Sequence, residues 1–182
     1  MFDFLKPKRA PKGPYEFAGS VEIDRPVAEV YPLLDLADER YAKRQLGERV
    51  EEVAGRPGTY HMVIGEVPDL LFELTVTERV ADESIGFDCT ITPRVGRLAT
   101  AHEHYRLEPC GADACRVELV NTVTFARDLR PSALEQETMM MTVALHNALA
   151  KLKLHAEGGV AAVRAVGQDV VVGAERDVAR DD

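Results

Sequence analysis

The chain has 182 residues, 46% of them hydrophobic and 29% charged, with a formal net charge of −9 at pH 7. Those values suit one globular domain with a real core, and the acidity argues against a general nucleic-acid binder, which needs a basic face for phosphate. No apolar run is long enough to span a bilayer, and Met1-Phe2-Asp3-Phe4-Leu5 is too short for the apolar part of a secretory signal, so the expected location is cytoplasmic.

Residues 1–14 carry three prolines and the cations Lys6, Lys8, Arg9 and Lys12 against the single acid Asp3, and read as a disordered basic leader. Order is expected from Tyr15. Phe17, Gly19, Val21 and Ile23 alternate with more polar neighbours, the period of a half-buried strand. Asp24 offers a helix N-cap, with Pro26 near the first helical position. Val27, Val30, Tyr31 and Leu34 then form a helical face that Pro32 should kink. A second short helix is expected over Asp38–Arg44, stopping at Gly47. From there the period becomes two, giving candidate strands Glu48–Ala54, Thr59–Gly65, Leu70–Arg79, Ser84–Thr92, Arg97–Glu108 and Cys115–Ala126, with turn residues in each gap. Gaps this short favour consecutive antiparallel hairpins. Ser132 and Glu135 have capping-box spacing, and Leu134, Thr138, Met141, Leu145, Ala148 and Leu152 make one stripe of a long helix that Gly158-Gly159 should end. Residues 158–182 read as a C-terminal tail or short extra element.

The hairpin registers follow from which side chains must share a face. With Leu107 opposite Val117, Tyr105 faces Leu119, Glu103 faces Asn121, Ala101 faces Val123 and Ala99 faces Phe125. Ile91 then pairs with Ala99, Val76 with Cys89, and Leu74 with Ile91. The hairpin before puts Ile64 opposite Leu70, Met62 opposite Phe72 and Tyr60 opposite Leu74. One inner face emerges across five strands. Its small residues Gly19, Cys89, Ala99 and Ala101 point to space for a ligand, against the simpler expectation that Phe72, Phe87 and the methionines fill it.

The segment Ser20-Val21-Glu22-Ile23-Asp24-Arg25-Pro26, followed by Val27-Ala28-Glu29-Val30-Tyr31-Pro32-Leu33-Leu34-Asp35, resembles the opening of START-like (SRPBCC) proteins, with polyketide cyclase/dehydrase-like and coenzyme-Q-binding members. Asp38-Glu39-Arg40-Tyr41 is similar to that family's turn into its second short helix. The resemblance covers residues 15–157. It implies an α+β helix-grip fold: a curved antiparallel sheet of about seven strands around a long C-terminal helix, with two short helices after the first strand. It also implies a hydrophobic ligand in an internal cavity. The superfamily includes lipid carriers, cyclases, hydroxylase domains and chaperone activators, so the likeness is specific for fold and not for function. Members commonly carry Trp shortly after the Glu-Arg-Tyr-like turn. This chain has no Trp and reads Lys43-Arg44-Gln45 there, so that pocket-mouth aromatic is lost and no family catalytic residue is transferred.

Glu103 and Asn121 are the informative polar pair, projecting together from an otherwise apolar face. A buried carboxylate there would have a raised pKa and could act as a general base, with Asn121 orienting a carbonyl. The plainer alternative is that each satisfies the other's hydrogen bonds. His102 and His104 share a strand face, but register puts them outside beside Thr122 and Val120, where no third metal ligand is evident. His146 and His155 are expected at the solvated edge of the long helix. In Met139-Met140-Met141 only part of the run can line a pocket, and core packing is the simpler role. Cys110 and Cys115 flank a turn; in a reducing compartment free thiols are favoured over a disulfide, and two thiols are too few for structural zinc. Phe2, Phe4 and Leu5 beside four cations would give weak, reversible membrane contact at most, a plain tail being the simpler reading.

The reading favoured by these features is a binder, and by extension a carrier, of a small hydrophobic molecule such as a lipid, isoprenoid, quinone or aromatic polyketide. Its expected ligand residues are Phe72, Leu74, Phe87, Cys89, Glu103, Tyr105, Asn121, Val123, Met141 and Leu145. No metal, cofactor or named protein partner is assigned. The alternatives are a polyketide cyclase or dehydratase with Glu103 as base, and an interaction module regulating a partner.

Overall fold

A computed structural model describes residues 9–94 and 96–178, with side chains to residue 166. The aromatic part of the leader, with Phe2, Phe4 and Leu5, and the last residues of the tail lie outside the described residues.

Seven antiparallel strands form one sheet: β1 (Tyr15–Ile23), β2 (Arg49–Glu52), β3 (Thr59–Val63), β4 (Leu71–Val80), β5 (Ser84–Thr92), β6 (Leu98–Pro109) and β7 (Cys115–Phe125). Their order is β1-β7-β6-β5-β4-β3-β2. Strands 2 to 7 are therefore a run of hairpins, as the short gaps predict, and β1 closes the far edge against β7. Between β1 and β2 lie two short helices, α1 (Val27–Val30) and α2 (Ala42–Gln45). Buried Pro32 lies in a 3-10 turn, Tyr31–Leu33, that continues α1. The long helix α3 (Pro131–Val178) runs against the inner face. This is the expected helix-grip arrangement. No described helix is long and apolar enough to cross a membrane.

Several local expectations are corrected. Pro26, not Asp24, occupies the cap of α1; the Asp24 N–H instead donates to Glu157 Oε1 at 2.7 Å, tying the end of β1 to α3. Ser132 cannot cap α3 because the helix already begins at Pro131, where proline's missing N–H costs nothing. At Gly159 (φ 71°) the helix breaks, as the glycine pair suggests, and then resumes to Val178. Order also begins before Tyr15: Ala10 and Leu129 exchange backbone hydrogen bonds at 2.8 and 3.0 Å, and Phe125 N–H donates to Lys12 O at 2.7 Å. These bonds extend the β7 side of the sheet, where free backbone groups need partners.

The β6–β7 register matches expectation from Leu107↔Val117 to Ala101↔Val123, then slips at a bulge so that Leu98, not Ala99, faces Phe125. Tyr60↔Leu74 and Met62↔Phe72 are also as expected. Between β4 and β5 the pairs are Phe72↔Ile91, Leu74↔Cys89 and Val76↔Phe87, a shift of two residues from the expected pairing. That shift leaves every side chain on its predicted face. The β5–β6 ladder ends at Cys89↔Ala101, so Ile91 and Ala99 are not paired.

The core sits between sheet and helix. Along α3 the buried positions are Glu137, Leu145, Leu149, Leu152 and His155, with Met141 and Ala148 half-buried. Thr138, expected on this stripe, is exposed, and Glu137 takes its place by bonding Arg97 at 2.9 Å. Met139 and Met140 are 63% and 59% exposed. Gly19 sets how closely the helix approaches β1, since a Cβ there would stand 2.6 Å from Leu145 Cδ2. Gly19→Val should therefore push α3 off the sheet and lower stability by about 1–3 kcal/mol in urea denaturation. Unchanged stability would show that Leu145 can swing aside.

Candidate functional site

Antiparallel pairing places side chains from up to six strands in continuous rows across the inner face. One row reads Phe17↔Asn121↔Glu103↔Phe87↔Val76, from β1 to β4. On one side lies Tyr15↔Val123↔Ala101↔Cys89↔Leu74↔Tyr60, and on the other Gly19↔Leu119↔Tyr105↔Ile85. The residues that flank Glu103 and Asn121 on their own strands belong to different apolar clusters. Tyr105, Leu119, Ile85 and Leu145 are in the larger one, and Ala101, Val123, Phe125 and Leu129 make the smaller, where Met141 packs. Cys89 touches both. The polar pair thus sits at the seam of two hydrophobic clusters. Phe72 lies farther along the sheet, half-buried between Met62 and Ile91.

The pair does not satisfy itself in the simple way the sequence allowed. Tyr105 donates its hydroxyl to Glu103 Oε2 at 3.0 Å, while Asn121 Oδ1 is buried with no hydrogen-bond partner among the described residues. A sealed amide oxygen of that kind is costly and asks for a donor.

Burial pushes the Glu103 carboxyl above the ordinary carboxylate range, and the Tyr105 hydroxyl and the more distant charge of Lys43 pull it part of the way back. Its charge is felt in turn by its neighbours. The Tyr105 phenol is raised well above its usual value by burial and then by Glu103, and Tyr41, buried nearby, is raised for the same two reasons. Burial, with the charge of Glu103 behind it, pushes the Cys89 thiol up to about 12. Cys89 is therefore a thiol and not a thiolate at neutral pH, and packs rather than attacks.

Three participants were not in the expected set. Phe17 shares the central row, and its alternation in β1 was visible, but nothing local reveals that β1 pairs with β7. Tyr41 and Lys43, at the start of α2, come near enough to Glu103 for their electrostatics to couple, a proximity that only the folded chain makes. On the outer face His102 and His104 lie opposite Thr122 and Val120 as expected. Each imidazole is paired with its own carboxylate, His102 Nδ1 with Asp88 Oδ1 at 2.8 Å and His104 Nε2 with Glu78 Oε1 at 3.2 Å. The three cysteines are free, Cys115 buried beneath the turn and Cys110 exposed on it.

Neither a family model nor a curated protein matches the sequence. Among solved structures the chain superposes on DynU16, a protein of the dynemicin biosynthetic locus, with a TM-score of 0.59 and 15% identity over 79% of this chain and 48% of that one. The chain thus spans about half the length of DynU16. A protein from Bacillus thuringiensis matches at TM-score 0.58 and 14% identity over 78% and 98% of the two chains. Ara h 8.0201 matches at 0.56 and 12% over 75% and 95%. The architecture shared with these structures is the helix-grip α+β fold. Identities this low carry architecture and nothing finer, so the domain's chemistry has to be argued from its own side chains.

Proposed function

We propose that this START-like domain holds a small hydrophobic molecule between the inner face of the sheet and α3, with a hydroxyl of the ligand donating to Asn121 Oδ1. The observation that carries the reading is that buried oxygen without a donor, set beside a desolvated carboxyl at the seam of two apolar clusters. Pockets of this kind are mainly apolar, with a few polar groups that fix orientation. START-like folds commonly hold hydrophobic ligands, which agrees with the reading. Among lipids, isoprenoids, quinones and aromatic polyketides, the orphan acceptor favours a hydroxylated member. A quinone offers acceptors only and would have to meet the Asn121 NH2 instead.

Native mass spectrometry of protein purified from its own host, followed by denaturing extraction, tests this directly. The expected result is a stoichiometric adduct bearing a hydroxyl group. Asn121→Leu should keep the fold and weaken that ligand by about tenfold, the worth of one buried hydrogen bond. A clean apo mass, or undiminished binding by the variant, would count against the proposal.

A second reading has its own support in the Tyr105–Glu103 hydrogen bond. A carboxyl whose pKa is raised by burial can take a proton from the carbon beside a carbonyl, as an aldol-type cyclisation requires, while the phenol bonded to it stabilises the carboxylate. In that case Glu103→Gln abolishes turnover of a polyketide-like substrate with ligand binding retained.

A further inference from the structure

We infer that the domain has a second ligand site, a cavity between α2 and the distal part of α3 that accepts a phenolic monocarboxylate through His155, Lys43 and Lys151. The cavity measures ≈ 130 Å³, and its apolar wall includes Leu33, Leu34, Leu46, Ala148, Leu152 and Val163. It adjoins the site proposed above at Tyr105, which lines it and whose hydroxyl bonds Glu103. The inference does not depend on what occupies the Glu103–Asn121 site.

His155 was expected at the solvated edge of the helix and is instead 4% exposed. It continues the buried stripe of α3 one step past Leu152, so its burial follows from helical geometry once the stripe is extended through a polar residue. Its Nε2 stands 2.7 Å from Gln45 Oε1. An amide oxygen only accepts, so Nε2 carries the hydrogen and Nδ1 is left as a bare acceptor. Nδ1 is buried with no partner among the described residues. Burial also lowers the His155 pKa, which favours the neutral ring that this tautomer needs.

His155, with its unpaired acceptor, is thus one wall residue of an apolar cavity that two cationic side chains also line, Lys43 half-exposed and Lys151 exposed. An unpaired buried acceptor calls for a donor. A cavity of about 150 Å³ admits one benzene ring, so the occupant is of single-ring size. A phenol supplies the ring and the donor together. A carboxylate across the ring from the hydroxyl places a negative charge toward the lysines, where solvent access keeps its desolvation cost low. An ordered water could meet Nδ1 as well, and is the competing occupant that the experiment separates.

The test is a titration of the full chain, followed by backbone amide NMR, with 4-hydroxybenzoate, benzoate and phenol in turn. Saturable shifts are expected at Leu34, Leu46, Ala148 and Leu152, with 4-hydroxybenzoate binding about tenfold more tightly than either partial analogue. In His155→Leu the advantage of 4-hydroxybenzoate over benzoate should vanish, because the acceptor is gone while the ring site remains. Ala148→Leu, which fills the cavity, should abolish binding with its thermal midpoint little changed. Three results would overturn the inference: no saturable shift up to about 10 mM ligand, a water-only site; equal affinity for benzoate and 4-hydroxybenzoate in the unaltered protein; or shifts centred on Glu103 and Asn121, a small ring entering the other site.

Discussion

Phe125→Ala is expected to lower the stability of the domain by about 3–5 kcal/mol, the range for removing a fully buried aromatic ring. Phe125 is 1% exposed and heads the fully buried side chains by volume. It packs with Ala101, Val123 and Leu129 in the smaller cluster, and its ring lies 5.7 Å from that of Tyr15. Its backbone N–H also donates to Lys12 O on the chain entering β1. One residue thus joins the last strand, the first strand and the segment before it. The cavity left behind would be walled in part by β6 and β7, each paired on both sides, so it would collapse only in part. Urea unfolding followed by circular dichroism measures the effect. A loss under about 1 kcal/mol would show that this end of the sheet unfolds separately from the rest.

Glu103→Gln should make the domain more stable than the natural sequence at alkaline pH and no more stable at acid pH. Burial raises the folded-state pKa of Glu103 above its ordinary value of 4.5. Between those two values the unfolded chain has given up the proton and the folded one holds it. The contribution of Glu103 is therefore fully present below the ordinary value, and is lost as pH rises through the raised one. Each unit of that elevation is worth about 1.4 kcal/mol. Glutamine is nearly the same shape, keeps an oxygen for the Tyr105 hydroxyl and does not titrate. Groups elsewhere titrate alike in both proteins and cancel in the difference. Urea midpoints from about pH 4 to about pH 9 should show a gap that opens with pH. A gap that stays constant would mean that the Glu103 carboxyl is solvated, and would remove the basis for using it as a base or a buried anchor.

The central row shows how far the sequence reading carries. Glu103 opposite Asn121, with Tyr105 and Leu119 beside them, follows from the β6–β7 hairpin alone, because a one-residue slip would have exposed Leu107, Val117 and Val123. The same reasoning was blind between β4 and β5. A two-residue slip returns every side chain to its own face, so hydrophobic alternation cannot tell Val76↔Cys89 from Val76↔Phe87. The bulge at Ala99 was hidden for a different reason: an extra residue shifts the alternation by one, but β6 begins at Leu98 and leaves too short a run beyond it to show the change. At the site itself, sequence located the polar pair but not its state, since whether Asn121 meets Glu103 or nothing depends on where Tyr105 puts its hydroxyl.

Strand identity, hairpin order, the choice of inner face and the amphipathic helix were determined by the sequence by itself, because each is written in local periodicity and turn chemistry. The closure of β1 on β7, the burial of Tyr41 beside Glu103, the sealed oxygen of Asn121 and the burial of His155 were decided only by the tertiary structure. Each depends on contacts between residues far apart in the chain, which desolvate a polar group without changing the local pattern that places it there.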